Sequence, residues 1–332
     1  MKGDFQMKRL VQVLTVLLLA SMLFLVWRDI FAIFSPPIYD GEYGNAAATP
    51  VIIEPPIFVG PAAVPGEGLI VNLAGQNITD QQLKELLASG AIPANVTHLD
   101  LSGNYITNVA PLAALTNLTE LQLWGNNFAE ISSLNTLVNL RSFNLGDNWA
   151  FNGDFSVLRY FVNLTDLGLS GGTLMFSYDL TPIESLTNLE RFRLWGGTAF
   201  TDFSIFTNPG NITHLTLNGV NIQDFSPLKY FTNLVSLDLQ HSGISDLSTL
   251  YLCYLINLTE LFVWGNYISD VAPLRYLTNL ERLALGGNRI VDISPLWELK
   301  NLQQLDLHDN PVCMEQVREL QDVLPWFIIV NY

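Results

Sequence analysis

The sequence predicts an α/β repeat solenoid, and three observations predict it. A unit of 22 to 25 residues recurs ten times, each copy holds a short alternating apolar segment, and a turn follows in which Asp, Ser and Pro recur. The copies begin at Asn95, Asn117, Asn139, Asn163, Asn188, Asn211, Asn233, Asn257, Asn279 and Asn301, at spacings of 22, 22, 24, 25, 23, 22, 24, 22 and 22. The second, fifth and seventh places of every copy are apolar, as in Leu118, Leu121 and Leu123.

The elements before the repeats come first. Lys2, Lys8 and Arg9 precede an apolar run from Leu10 to Val26, an export signal whose basic flank puts the N-terminus in the cytoplasm and the rest outside. No small-residue cleavage pattern follows closely, so residues 1–34 read as an uncleaved single-pass anchor; cleavage would make the protein secreted. Residues 35–66 hold seven of the sixteen prolines and form an extended linker. Residues 67–94 are the N-terminal cap: a strand over Leu69 to Leu73, then a helix opened by the capping box Thr79-Asp80-Gln81-Gln82 and closed by Gly90.

Within each of the ten repeats (95–310), places five and seven point one way and places four, six and eight the other, which is the period of a strand. Place ten is Asn in six copies (Asn104, Asn126, Asn148, Asn266, Asn288, Asn310), where a buried amide can satisfy backbone groups as the chain turns off the strand. Runs such as Asp292-Ile293-Ser294-Pro295-Leu296 carry a Pro that excludes a second ladder strand, so the outer side is a 3₁₀ or irregular turn. A C-terminal cap (311–332) contains a helix around Glu315 to Leu324 that buries Val317, Leu320 and Leu324, and the run Trp326 to Val330 covers the last rung.

These residues resemble the leucine-rich repeat, and the Leu-Thr-Asn-Leu joint with the Asp-Ile-Ser-Pro-Leu turn is similar to bacterial internalin-type proteins. The resemblance implies a curved right-handed array with a parallel sheet on its concave face, a surface that commonly binds protein or glycan partners. No Ig-like module or wall-sorting motif is seen before Tyr332, so surface attachment is expected at the N-terminus.

Composition narrows the function. The 332 residues carry 15 basic against 31 acidic side chains, net charge −16, which excludes a phosphate-tracking surface and hence nucleic acid as a partner. Two Cys form no zinc site alone, and Cys253 and Cys313 fall about three rungs apart, beyond disulfide reach. The four His, His98, His214, His241 and His308, sit at unrelated places, so no triad, metal or cofactor site is expected and the chain reads as non-catalytic. Glu130, Asp154, Asp179, Asp202, Asp224, Asp246, Asp270 and Asp292 form a column near place fourteen, read as turn caps in preference to a calcium row. Of the Asn-x-Thr sequons at Asn77, Asn95, Asn117, Asn163, Asn211 and Asn257, five coincide with the repeat joint and read as its by-product.

The outward columns carry the functional signal. Place eight holds Trp124, Trp195 and Trp264 where other copies have small or polar residues. Arg191 and Arg193 surround Trp195 with Asp166 and His214 on the adjoining rungs, and Phe262 stands beside Trp264 with Arg282 on the next. Trp and Arg dominate interface energetics when desolvated. The competing reading is that each Trp lies on a neighbouring Gly rung and seals the sheet. Rungs three to five are lengthened by segments carrying Trp149, Phe151, Met175, Phe176, Tyr178 and Phe200, read as a ridge beside Trp195 or as aromatics packing on one another. The expected function is adhesion or recognition at the cell surface by a monomer, whose concave face binds a neutral or basic protein partner. The alternative is a glycan or cell-wall polysaccharide stacked on the three Trp.

Overall fold

The structure is a computed structural model that describes residues 68–170, 179–196, 203–220, 222–324 and the backbone of 329–331. Residues 1–67 lie outside it, so neither the apolar run from Leu10 to Val26 nor the linker is among the described residues. By its internal contacts the chain divides into Met1–Glu54 and Pro55–Tyr332, and every described residue belongs to the second unit.

Each repeat contributes one strand to a single parallel sheet whose spatial order follows the sequence. The strands are β1 (Ile70–Asn72), β2 (His98–Asp100), β3 (Glu120–Gln122), β4 (Ser142–Asn144), β5 (Asp166–Ser170) and β6 (Arg191–Trp195). They continue as β7 (His214–Asn218), β8 (Ser236–Asp238), β9 (Glu260–Phe262), β10 (Arg282–Ala284), β11 (Gln304–Asp306) and β12 (Ile329–Asn331). Equivalent repeat places pair directly, as Leu99 with Leu121 and Phe143 with Leu167. The chain returns on the other side through 3₁₀ turns such as Ala272–Tyr276 and Ser294–Glu298, whose Pro at the start accepts the missing N–H without loss. This is the leucine-rich-repeat solenoid that the periodicity predicts.

One continuous apolar core fills the array, with Leu99, Leu121, Phe143, Leu167, Phe192 and their equivalents essentially inaccessible. Through the middle of the array several core places are filled by Phe. Phe143 meets Phe161 at 5.6 Å, and Phe206 meets both Phe192 at 5.2 Å and Phe231 at 5.5 Å, all edge to face.

Both ends are covered as expected. Helix α1 (Asp80–Ala88) starts with the Thr79–Gln82 capping box in place, and Gly90 takes the left-handed conformation (φ 77°) just past its end. Helix α2 (Met314–Val323) buries Val317 and Leu320, with Leu324 buried just beyond. β12 extends the sheet past the last rung, while 325–328 lie outside the described residues.

The place-ten amides tie neighbouring rungs together. Asn266 donates through Nδ2 to the carbonyls of Leu239 (3.0 Å) and Val263 (2.8 Å), and its Oδ1 accepts from the N–H of Ser242 (3.1 Å) and Ile244 (2.9 Å). The seventh repeat has Ser242 there, whose Oγ donates to the carbonyls of Leu217 (2.9 Å) and Gln240 (3.1 Å); the fourth, fifth and sixth repeats have Gly172, Gly197 and Val220. Their strands, β5, β6 and β7, run five residues where the other strands run three. Where the place-ten residue has no polar side chain to claim the backbone at the turn, the ladder extends through place eight, pairing Ser170 with Trp195 and Trp195 with Asn218.

Candidate functional site

The exposed face of β5, β6 and β7 gathers the central residues picked out from sequence. Register sets Asp166 beside Arg191 and Arg191 beside His214. Arg193 pairs with Gly168 in the ladder and its guanidinium reaches diagonally to Asp166, Nη2 to Oδ1 at 2.5 Å, while the space over Gly168 is taken by the Asn144 side chain. The same guanidinium carbon stands 5.9 Å from the Trp195 ring centre. Arg193 is thus fixed by a carboxylate on one side and an indole on the other, while its buried Nε has no hydrogen-bond partner. Arg191 is exposed, and burial together with the Arg191 charge holds His214 below the usual imidazole range.

The three Trp are half-buried on the sheet face, outside the apolar core, but they differ in what they touch. Trp124 lies against Gly146, where a Cβ would come within 2.9 Å of its Cδ1. Trp264 crosses Gly286 and donates its indole N–H to Nε2 of His308 (2.6 Å). His308 is oriented in turn by Asp306 Oδ1 at 2.5 Å from Nδ1, and His241 meets the other side of Trp264 edge-on at 4.3 Å. Trp124 and Trp264 therefore seal glycine gaps, the competing reading at those two places; Trp195 stands at place eight between Ser170 and Asn218, with no glycine at that place on either neighbouring rung. The placement of His241 and His308 corrects the expectation that the histidines are unrelated. The repeat phase brings both to one indole, because a Gly rung leaves a gap that spans two strand spacings.

The His308–Asp306 pair has the form of an oriented base, yet its Nε2 is already occupied by an N–H donor and faces no nucleophile. Among the described residues no group of three or more His, Cys, Asp or Glu is spaced to hold a metal ion. Cys253 and Cys313 are free and exposed.

At the other end of the face, Arg282 forms an ion pair with Glu260 of the neighbouring strand, and Phe262 lies half-buried between Asp238 and Ala284. Asp238 accepts from the backbone N–H of Gln240 and from Asn218 Nδ2, both at 3.2 Å, and burial pushes its carboxyl up to about 6. Asp238 was not singled out from sequence; its signal is a carboxylate at place six next to an aromatic at the same place of the following rung.

The ridge beside Trp195 is realised only in part. Trp149 is exposed, but Phe151 turns inward onto Phe155 (5.0 Å) and Phe128 (6.3 Å), since the extra residues let it reach the core. Met175, Phe176, Tyr178 and Phe200 lie outside the described residues, as does Asp202.

The acidic column has a cap's geometry. Oδ1 of Asp154, Asp179, Asp224, Asp246, Asp270 and Asp292 each accepts the N–H two residues on, at 2.8–3.0 Å. The joint asparagines are similarly engaged: Asn163, Asn211 and Asn257 donate their amide nitrogens to carbonyls of the preceding rung at 2.9–3.1 Å.

No helix among the described residues is long and apolar enough to cross a membrane. The family described as leucine-rich repeats (two copies) matches residues 94–135, 256–296 and 278–321. An internalin, InlF, from Listeria monocytogenes is 28% identical, with a TM-score of 0.58 over 79% of this chain and 82% of its own. The functional domain of InlJ from the same organism is 23% identical, with a TM-score of 0.52; the match covers 69% of this chain and 47% of that one, and the likeness is one of fold. No curated protein matches the sequence. Leucine-rich-repeat proteins such as internalins act as protein-binding modules, and the fold is in general a non-enzymatic scaffold. The repeats in register, their 3₁₀ returns and these likenesses together show a leucine-rich-repeat solenoid similar to that of bacterial internalins.

Proposed function

We propose that this protein is a non-catalytic, exported recognition module that binds a protein partner through the face of β5, β6 and β7, tethered at the cell surface by the segment from Leu10 to Val26. The observation that carries the reading is local. Among the described strands only these three are lengthened to five residues, and there Arg193 is held between Asp166 and Trp195 with Arg191 exposed beside it. A pre-positioned Arg against an aromatic ring loses little rotamer freedom on binding, which suits an interface centre. The net charge of −16 steers a neutral or basic partner, and Arg191 supplies the local contact for one of its carboxylates.

A glycan stacked on all three Trp is the weaker reading, because Trp264 spends its N–H on His308 and Trp124 rests on Gly146. The test is capture of the partner by the full chain and by two variants. Replacing Arg193 and Trp195 together by Ala is expected to abolish capture while thermal unfolding stays nearly unchanged, and Trp124→Ala is expected to retain capture. Normal capture by the double variant removes the central site.

A further inference from the structure

A second polar surface lies on the flank where the chain enters the central strands. It is an open groove of about 580 Å³, within the range of ligand clefts. Its walls include the place-one amides of four successive rungs, Asn163, Asn188, Asn211 and Asn233. All four are exposed, and each spends its Nδ2 on a carbonyl of the preceding rung: Val138, Val162, Thr187 and Gly210. The place-three hydroxyls Thr165 and Thr213 likewise donate to Arg141 O and Glu190 O. Each amide thus spends one of its two N–H groups internally, and what remains is a row of neutral amides, each offering one N–H and its Oδ1, at rung spacing, about 4.8 Å. Arg141 and Glu190, one charge of each sign, are the only ionised groups in its lining.

We infer that this groove binds a neutral oligosaccharide laid across the rungs. Uncharged amides repeated along a line, each donating and accepting, fit a ligand with hydroxyls repeated along its length, since a hydroxyl also donates and accepts, and the balanced Arg141 and Glu190 favour no net charge. The lining lacks the apolar pockets that side chains of an extended peptide would need. The groove uses places one and three of the repeat, so it is independent of the concave face proposed above.

Gly210 allows a clean test. It lines the groove, and no atom lies within 4 Å of where its Cβ would stand, so a large side chain there fills the groove without displacing the fold. Cellohexaose, xylohexaose and chitohexaose, titrated into the full chain by saturation-transfer NMR and calorimetry, serve as probes. Binding of at least one probe is expected, weakened about tenfold or more by Gly210→Trp. The Arg193→Ala, Trp195→Ala variant is expected to bind that probe normally with its partner capture lost. Absence of binding by all three probes at millimolar concentration overturns the inference, as does binding that Gly210→Trp leaves unchanged. Preferential binding of a tetralysine peptide, abolished by salt, also overturns it and assigns the amide row to a cation instead.

Discussion

Trp264 and His308, 44 residues apart in the chain, are joined side chain to side chain by a 2.6 Å hydrogen bond that crosses the glycine at place eight of the rung between them. The bond makes the two outer rungs share a side-chain contact that nearest-neighbour stacking does not supply. Removing the acceptor in His308→Ala leaves the indole N–H half-buried and unpaired, which is expected to cost about 1–2 kcal/mol. The Trp emission should shift to the red as the ring is released, and a spectrum identical to that of the parent would show that the indole is held by stacking alone. Gly286→Ala should be at least as costly, because its methyl would meet both rings.

The place-ten amides should be among the most expensive polar residues to delete. Asn266→Ala strands the carbonyls of Leu239 and Val263 and the N–H groups of Ser242 and Ile244 in the core. A loss of about 3 kcal/mol or more is expected in denaturant unfolding, given roughly 1 kcal/mol or more for each orphaned buried group. A loss below about 1 kcal/mol would mean that water replaces the amide.

Asp238 should make the protein less stable at neutral pH than a neutral isostere would. Its folded value, about 6, lies above the ordinary carboxylate value of 3.8, so the folded state holds the proton more tightly than the unfolded chain. The penalty is absent below the unfolded value, grows as pH rises between the two, and is complete above about 6. Asp238→Asn is therefore expected to raise the melting temperature near pH 8 by an amount equivalent to about 1–3 kcal/mol and to change little near pH 3.5. Equal effects at both pH values would refute a burial penalty at this carboxyl.

The turn carboxylates act in the opposite sense. Hydrogen bonds from the backbone N–H, joined by the hydroxyl, of Ser156, Ser226 and Ser294 hold Asp154, Asp224 and Asp292 below the ordinary carboxylate range; the hydroxyl and N–H of Thr181 and Ser248 do the same for Asp179 and Asp246. Their contribution is present above the unfolded value and lost as pH falls through the depressed one. Asn can make the same turn, as Asn108 does with the N–H of Ala110 at 2.9 Å. Replacing these five Asp by Asn should leave neutral stability nearly unchanged and move the midpoint of acid unfolding downward; an unmoved midpoint would assign acid unfolding to other groups.

The strand places, the 3₁₀ returns and both caps are readable because each depends on residues a few positions apart, as in the Thr79–Gln82 box or the Leu121–Leu123 alternation. The candidate site is readable only column by column. Arg193 meeting Asp166 follows from their places six and four on adjacent rungs, but which of the neighbouring carboxylates a long Arg side chain reaches is set by packing that the repeat phase alone does not give. The Trp264–His308 bond follows the same logic over two rungs, with Gly286 as its signal. Phe151 escapes such reasoning, because the residues from Trp149 to Gly153 break the period and the core contacts of an insertion follow no repeat phase.

The interrupted ladder also has a mechanical consequence. The three strands of the middle, β5 to β7, lack the place-ten amides that clamp the repeats toward either end, and rely instead on backbone pairing, aromatic filling and the Arg193–Asp166 ion pair. Pulled from its two ends, the array should part at its centre, so a load-bearing attachment to this protein would first loosen the very rungs that hold Arg193 and Trp195.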